Sequence, residues 1–87
     1  MSLKRSRKTI RDGNRYIILS TIKHWQSQGP VTRNRIKLDG GYDEQQTTSY
    51  LKNLIEEDLI EISDNNYQLT AAGRTYLQVL ELLEATP

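Results

Sequence analysis

Three groups of turn-forming residues divide this chain of 87 residues into short segments, and this division limits its fold more than any other feature. Gly29-Pro30 and Gly40-Gly41 each end a helix, because glycine accepts the left-handed backbone and proline cannot continue a helix. Asp64-Asn65-Asn66 tolerates the same backbone conformation and favours a hairpin turn between two apolar runs. We therefore predict one small domain of short helices and a hairpin, with a thin core.

Four segments between these breaks have apolar residues at helical spacing. Each begins beside a side chain that can accept a hydrogen bond from a free helical amide, and Gln46 completes a capping box in the third. The predicted helices run from about Ile10 to Gln28, Val31 to Leu38, Glu44 to about Asp58 and Ala71 to about Glu84, with caps at Thr9, Thr32, Asp43 and Thr70. The predicted strands are Leu59–Ser63 and Tyr67–Thr70.

The predicted core follows from the apolar face of each element. We expect burial of Ile18, Thr21, Ile22 and Trp25, with Ile17 beside them, and of Ile36, Thr47, Leu51, Leu54, Ile55, Tyr67, Tyr76, Leu80 and Leu83. Val79 and Leu82 then remain on the other side of the last helix, where a monomer would expose them. An isologous homodimer would bury them, so we expect dimerisation through Tyr76, Val79, Leu80, Leu82 and Leu83. The alternative is a wide core stripe in a monomer.

Charged residues are divided unevenly along the chain, although the net charge is only +1. Residues 1–37 hold ten cations and one anion, for +9, and residues 38–87 hold two cations and ten anions, for −8. This asymmetry indicates a polyanionic partner for the basic half or head-to-tail self-association. The alternative is a solvated tail beside an acidic helix surface. Residues 1–8 are polar and basic, and we expect them to form a flexible arm.

The order helix, short helix, tight turn, helix, hairpin, helix is that of a winged helix-turn-helix. Residues 29–83 resemble the small archaeal winged-helix DNA-binding proteins that dimerise through a C-terminal coiled coil. The residues that carry the resemblance are Pro30, Thr32, Arg33, Tyr50, Leu51, Leu54, Leu59, Ile60, Tyr67, Leu69, Thr70, Gly73 and Leu77. The expected fold is mainly α with a small β-hairpin (α+β): a three-helix core, a wing and a C-terminal helix. Its expected divisions are a basic arm (1–8), a winged helix-turn-helix domain (9–70) and a C-terminal helix (71–87).

Candidate DNA contacts lie in three segments. When a helix-turn-helix binds DNA, the second helix of the motif enters the major groove, and the first helix crosses the DNA backbone. For the major groove we expect the outward polar side chains of the third predicted helix, Gln45, Gln46, Thr48, Ser49 and Lys52, which suit base edges and phosphates. At the phosphates we expect Thr32, Arg33, Arg35 and Lys37, and from the arm Lys4, Arg5, Arg7, Lys8 and Arg11. For any single Gln, Ser or Thr, an ordinary solvated surface position is the alternative.

Several function classes find no support in the residues. Cysteine is absent, which excludes disulfides, thiolate metal sites and thiol nucleophiles. His24 stands alone, and the sequence identifies no base for Ser49, so we expect no enzyme, no metal and no cofactor. The longest apolar run, Tyr16–Leu19, is far shorter than the roughly 20 residues of a membrane span. We expect a cytoplasmic protein at the nucleoid that binds double-stranded DNA as a transcriptional regulator or nucleoid-associated protein. The alternative is a protein-interaction module whose acidic third and fourth helices bind a basic partner.

Overall fold

The structure, a computed structural model, describes the backbone of residues 2–85 and the side chains of residues 13–83. In this part of the chain, four helices and one antiparallel hairpin follow in the predicted order. They are α1 (Ser2–Gln26), α2 (Arg33–Gly40), α3 (Glu44–Glu56), β1 (Ile60–Ser63), β2 (Asn66–Leu69) and α4 (Ala71–Ala85). The predicted mainly helical fold with a small hairpin is confirmed.

The first helix differs from its prediction at both ends. It begins at Ser2 and not near Ile10, so the backbone of the predicted flexible arm is helical over residues 2–8. No Gly or Pro lies in this segment, and Lys and Arg are good helix formers, so nothing there stops the helix. The helix ends at Gln26, two residues early, because the Trp25 carbonyl accepts hydrogen bonds from the amides of residues 28 and 29 in a turn.

Side-chain caps set the start of the three later helices, as predicted. Thr32 Oγ1 accepts a hydrogen bond of 3.2 Å from the amide of the third residue of α2. Asp43 and Gln46 form the predicted capping box at α3, with hydrogen bonds of 2.7 and 3.1 Å. Thr70 Oγ1 accepts from the third amide of α4 at 2.9 Å. Gly41, at φ 68°, ends α2 in the left-handed conformation, so the short link to α3 is fixed on both sides.

The hairpin turn is one residue shorter than predicted. Asp64 and Asn65 have φ values of 50° and 63°, which is the conformation of a two-residue hairpin turn, and Asn66 already pairs with Ser63. The outer edge of β2 is also occupied, because the Tyr67 amide donates to the Val31 carbonyl at 2.8 Å. The wing is therefore tied to the segment that leads into α2.

The core lies where the four helices and the base of the hairpin meet. Burial is confirmed for Ile18, Ile22, Ile36, Thr47, Leu51, Leu54 and Leu80, while Tyr67 and Tyr76 are half-buried against the core. Leu19, absent from the predicted set, is also fully buried. Within the described residues, no helix combines the length and apolar character that crossing a membrane requires.

Three predicted core residues are instead exposed. Ile17 has 40% of its surface exposed, at the edge of the face of α1 that buries Ile18 and Ile22. Ile55 has 40% of its surface exposed, because the buried face of α3 is limited to Thr47, Leu51 and Leu54, and Ile55 lies just beyond this stripe. Leu83 is 61% exposed, since it lies one turn beyond Leu80, the last buried residue of α4. Helical spacing gives the direction of a buried face, but neither its width, which decides Ile17 and Ile55, nor its length along the helix, which decides Leu83.

Candidate nucleic-acid interface

The outer face of α3 carries the residues predicted for the major groove. Gln45, Gln46, Thr48, Ser49 and Lys52 are all exposed, opposite the buried stripe of the same helix. The outward orientation is thus confirmed, while contact with DNA stays a prediction. Gln46 is already engaged through its side-chain oxygen in the capping box, so Gln45, Ser49 and Lys52 are more available for a ligand.

The cations of α2 are held against the start of α3. Arg33 Nη1 lies 2.7 Å from one carboxylate oxygen of Glu44, and Lys37 Nζ lies 2.6 Å from the other. Arg33 Nη2 also donates to the Glu44 carbonyl at 3.1 Å and to the Thr48 hydroxyl. The hydrogen bonds from Lys37 and Arg33 lower the pKa of the Glu44 carboxyl. We call Arg33, Lys37, Glu44 and Thr48 the Glu44 clasp.

Arg35 lies on a different side of α2, over the ring of Trp25. Its guanidinium is 4.3 Å from the ring centroid, and its nearest carboxylate is that of Asp39, at 3.9 Å. Trp25 Nε1 donates to Asp39 at 2.6 Å. Trp25 was predicted as a core residue only; it is half-buried against the core and also supports a surface arginine. Thr32 is exposed, with its hydroxyl engaged as the cap of α2.

Arg15 and Lys23 of α1 lie apart from the α3 outer face. Arg15 donates to both carboxylate oxygens of Glu57, one of them at 3.0 Å, and to the Tyr76 hydroxyl at 3.2 Å. The Glu57 carboxylate raises the pKa of Arg15, against the opposing effect of burial. Lys23 Nζ lies 3.6 Å from Glu81 on α4. We call Arg15, Glu57 and Tyr76 the Arg15 cluster.

Ion pairs between the basic and acidic halves of the chain neutralise part of their opposite charges. All five cations described in the basic half, which are Arg15, Lys23, Arg33, Arg35 and Lys37, lie within 4 Å of a carboxylate from the acidic half. Charge counting along the sequence could not detect this, because the partners are brought together only by the fold. The arm cations Lys4, Arg5, Arg7, Lys8 and Arg11 lie outside the described side chains, and their role stays a prediction.

An open groove of about 270 Å³ runs between α3 and β2, and sequence reasoning missed it. Thr48 and Lys52 line one part of it, and Ile55 and Tyr67 give it an apolar floor. The groove explains where the exposed Ile55 lies, beside the predicted recognition face. Lys52 forms no ion pair with another described residue, so it presents a full positive charge here.

The predicted dimerisation residues divide into two groups. Tyr76 and Leu80 pack against the chain's own core, while Val79, Leu82 and Leu83 are exposed on α4. The exposure of Leu83 enlarges the apolar surface that the sequence assigned to Val79 and Leu82. Among the described residues, no three His, Asp or Glu side chains lie close enough together to hold a metal ion.

Comparison with known protein families agrees with this architecture. A family model described as winged helix-turn-helix matches residues 13–86. The match includes both helices of the motif, the hairpin and α4, and thus most of the chain. A search of the curated proteins finds no match to the chain. With the helices and the wing in their expected places, the chain belongs to the winged helix-turn-helix family.

Proposed function

We propose that this protein binds double-stranded DNA, with α3 in the major groove and α2 across the phosphate backbone. The winged helix-turn-helix fold suggests DNA binding in general, and its second motif helix is the one that enters the groove. One observation carries the proposal: the polar face of α3 is continuous with two cations of α2, since Arg33 reaches Thr48 and Lys37 reaches Glu44.

The side chains of the proposed interface make two kinds of contact, with base edges and with phosphates. Gln45 and Ser49 offer donors and acceptors to base edges, and Lys52 reaches guanine or a phosphate. Arg33, Arg35 and Lys37 contact phosphates, together with the arm cations. Lys52 is the one cation on α3, and all the other cations of the proposed interface lie outside this helix. Affinity therefore comes chiefly from phosphates and depends little on base sequence. The protein acts at the nucleoid as a regulator or architectural protein, by binding and not by catalysis.

A salt titration tests the proposal. Neutralising about six phosphates gives a slope near −5 in a plot of log affinity against log salt. Lys52→Gln should flatten this slope by about 0.9 if Lys52 reaches a phosphate. Arg74→Gln is the matched control, because Arg74 is an exposed cation on α4 that forms no ion pair with another described residue. No binding to a 24-base-pair duplex at about 50 mM salt, where phosphate contacts are strong, would refute the proposal.

A protein-interaction function is the second candidate. It is favoured by the internal neutralisation of the α2 cations and by the exposed carboxylates Glu56 and Asp58 at the end of α3. In that case the chain fails to bind the duplex and binds a basic peptide instead, with affinity that also falls as salt rises. The same titration, run with both ligands, separates the two functions.

We also propose that α4 forms an isologous homodimer, as in the coiled-coil family that the sequence resembles. Val79 and Leu83 are 50% and 61% exposed, and a two-fold axis along α4 would bury both pairs. Val79→Asp should give a soluble monomer by light scattering. Leu80→Asp should unfold the domain, because Leu80 is buried in the core. A wild-type monomer at high micromolar concentration would refute the dimer.

A further inference from the structure

We propose that Arg33, Lys37 and Thr48 form a DNA phosphate site that the Glu44 carboxylate occupies in the free protein. Glu44 then competes with the DNA backbone and lowers the affinity of the domain for duplexes in general. This inference rests on the proposed DNA-binding function and assigns an opposing role to one residue of the interface.

The geometry of the Glu44 clasp is that of an occupied anion site. Each carboxylate oxygen has its own cation, at 2.7 Å from Arg33 and 2.6 Å from Lys37, and Arg33 also bonds the Thr48 hydroxyl. A phosphodiester likewise presents two oxygens that share one negative charge. Arginine, lysine and a hydroxyl are the groups that commonly bind it. The carboxylate therefore fills the position that suits a phosphate.

The Glu44 carboxylate can leave the site without destabilising the start of α3. The Glu44 side chain is 67% exposed, whereas Arg33 and Lys37 are only about half as exposed or less. The start of α3 is held by Asp43 and Gln46, so Glu44 is not needed as a cap. Rotation of one solvated side chain thus opens the site, and the two cations stay in place.

The competition follows from the charges. The clasp holds two cations and one carboxylate, so its net charge is +1 in the wild type and +2 when Glu44 is replaced by a neutral residue. When DNA binds, the Glu44 carboxylate can lose its ion pairs with both cations and remain close to the phosphates, which repel it. Otherwise it keeps both ion pairs and blocks the DNA backbone from the site. Both alternatives oppose binding, and they do so for every base sequence.

The experiment compares Glu44→Gln and Glu44→Ala with Glu56→Gln on a 24-base-pair duplex over a range of salt. Glu56→Gln is the matched control, since it changes the net charge equally at an exposed position of the same helix and outside the clasp. Both Glu44 variants should bind about three- to tenfold more tightly at about 100 mM salt, with a slope steeper by about 0.9. The alanine variant shows that the gain does not come from new hydrogen bonds of glutamine.

A double-mutant cycle tests the site itself. Arg33→Ala should weaken binding more in the Glu44→Gln background than in the wild type, because only the freed arginine contributes fully. In the Glu56→Gln background its effect should equal that in the wild type. Glu44 variants that bind no more tightly than Glu56→Gln, or an absence of coupling, would overturn the inference while the DNA-binding function stands. No duplex binding by any variant at about 50 mM salt would refute the proposed function itself.

Discussion

The Arg15 cluster and the Glu44 clasp use the same chemistry in two different environments. Arg15 joins α1 to residues 42 and 61 positions later, and its side chain is only 11% exposed. The clasp joins α2 to the neighbouring α3, over 7 to 15 residues, and its carboxylate is mostly in water. The Arg15 cluster therefore connects distant parts of the chain, and the Glu44 clasp lies on a solvent-exposed surface.

This difference indicates which ion pair holds the fold and which can be exchanged. Exposed ion pairs contribute about 0 to 1 kcal/mol, because water and salt screen them. Loss of Arg15 costs more, because it removes the donor to the half-buried Tyr76 hydroxyl, whereas the Glu57 carboxylate, which is 46% exposed, can be solvated. We therefore expect changes near the Arg15 cluster to act on the free energy of unfolding, and changes in the clasp to act on DNA affinity.

The largest expected effect is that of Gly73→Ala, at the first turn of α4 that supports the Tyr76 side of the Arg15 cluster. A Cβ at this position would lie 1.9 Å from the Leu59 carbonyl oxygen, and a backbone atom cannot move aside. The variant should lose about 2 to 4 kcal/mol of unfolding free energy in urea. Gly13→Ala is the control, because nothing lies within 4 Å of its Cβ, and it should gain up to about 1 kcal/mol. Equal stability of the two variants would contradict the packing of α4.

A smaller effect is expected for Arg15→Met, which keeps the aliphatic stem and removes the charge. Loss of the part-buried bond to Tyr76 and of the solvent-screened pair with Glu57 should lower the unfolding free energy by about 1 to 2 kcal/mol. The affinity of the folded variant for DNA should stay unchanged. Arg33→Met, the same change in the clasp, should cost less than about 1 kcal/mol and weaken DNA binding. Equal changes in unfolding free energy and in DNA affinity for the two variants would contradict the proposed difference between the Arg15 cluster and the Glu44 clasp.

The elements of this fold could be predicted because their signals are local. Asp43 with Gln46, and Thr70 with the amide three residues on, are caps that act within one turn, so the sequence alone places them. The outward face of α3 was likewise correct, since helical geometry fixes which side chains oppose a buried stripe. The first and last residues of a helix are harder to predict than its presence. The start of α1 at Ser2, and not near Ile10, shows that a possible cap does not stop a helix whose preceding residues also favour it.

The pairing of charges could not be predicted in the same way. No local pattern in the sequence pairs Glu44 with a cation, and only the packing of α2 on α3 shows that Arg33 and Lys37 both reach it. Arg15 and Glu57 are 42 residues apart, and no local rule connects them. The candidate interface was thus correct in its surface residues and incomplete in its electrostatics, because long-range contacts decide which cations are available to a ligand.

The smallest expected effect, and the most direct test of the clasp, is the titration of Glu44. Hydrogen bonds from Lys37 and Arg33 lower the pKa of its carboxyl, so the midpoint by carbon-detected NMR should lie below the unfolded value of about 4.3. A lowered pKa means that the folded state favours the ionised form, so the stabilisation is complete above that unfolded value and is lost as the pH falls through the folded pKa. Lys37→Met and Arg33→Met should each move the midpoint upward, because each removes a hydrogen bond to the ionised carboxylate. Arg15→Met, distant from the clasp, should leave it unchanged. A Glu44 midpoint that none of these variants moves would mean that the carboxylate is not held by the α2 cations in solution, and the clasp could not then compete with a phosphate.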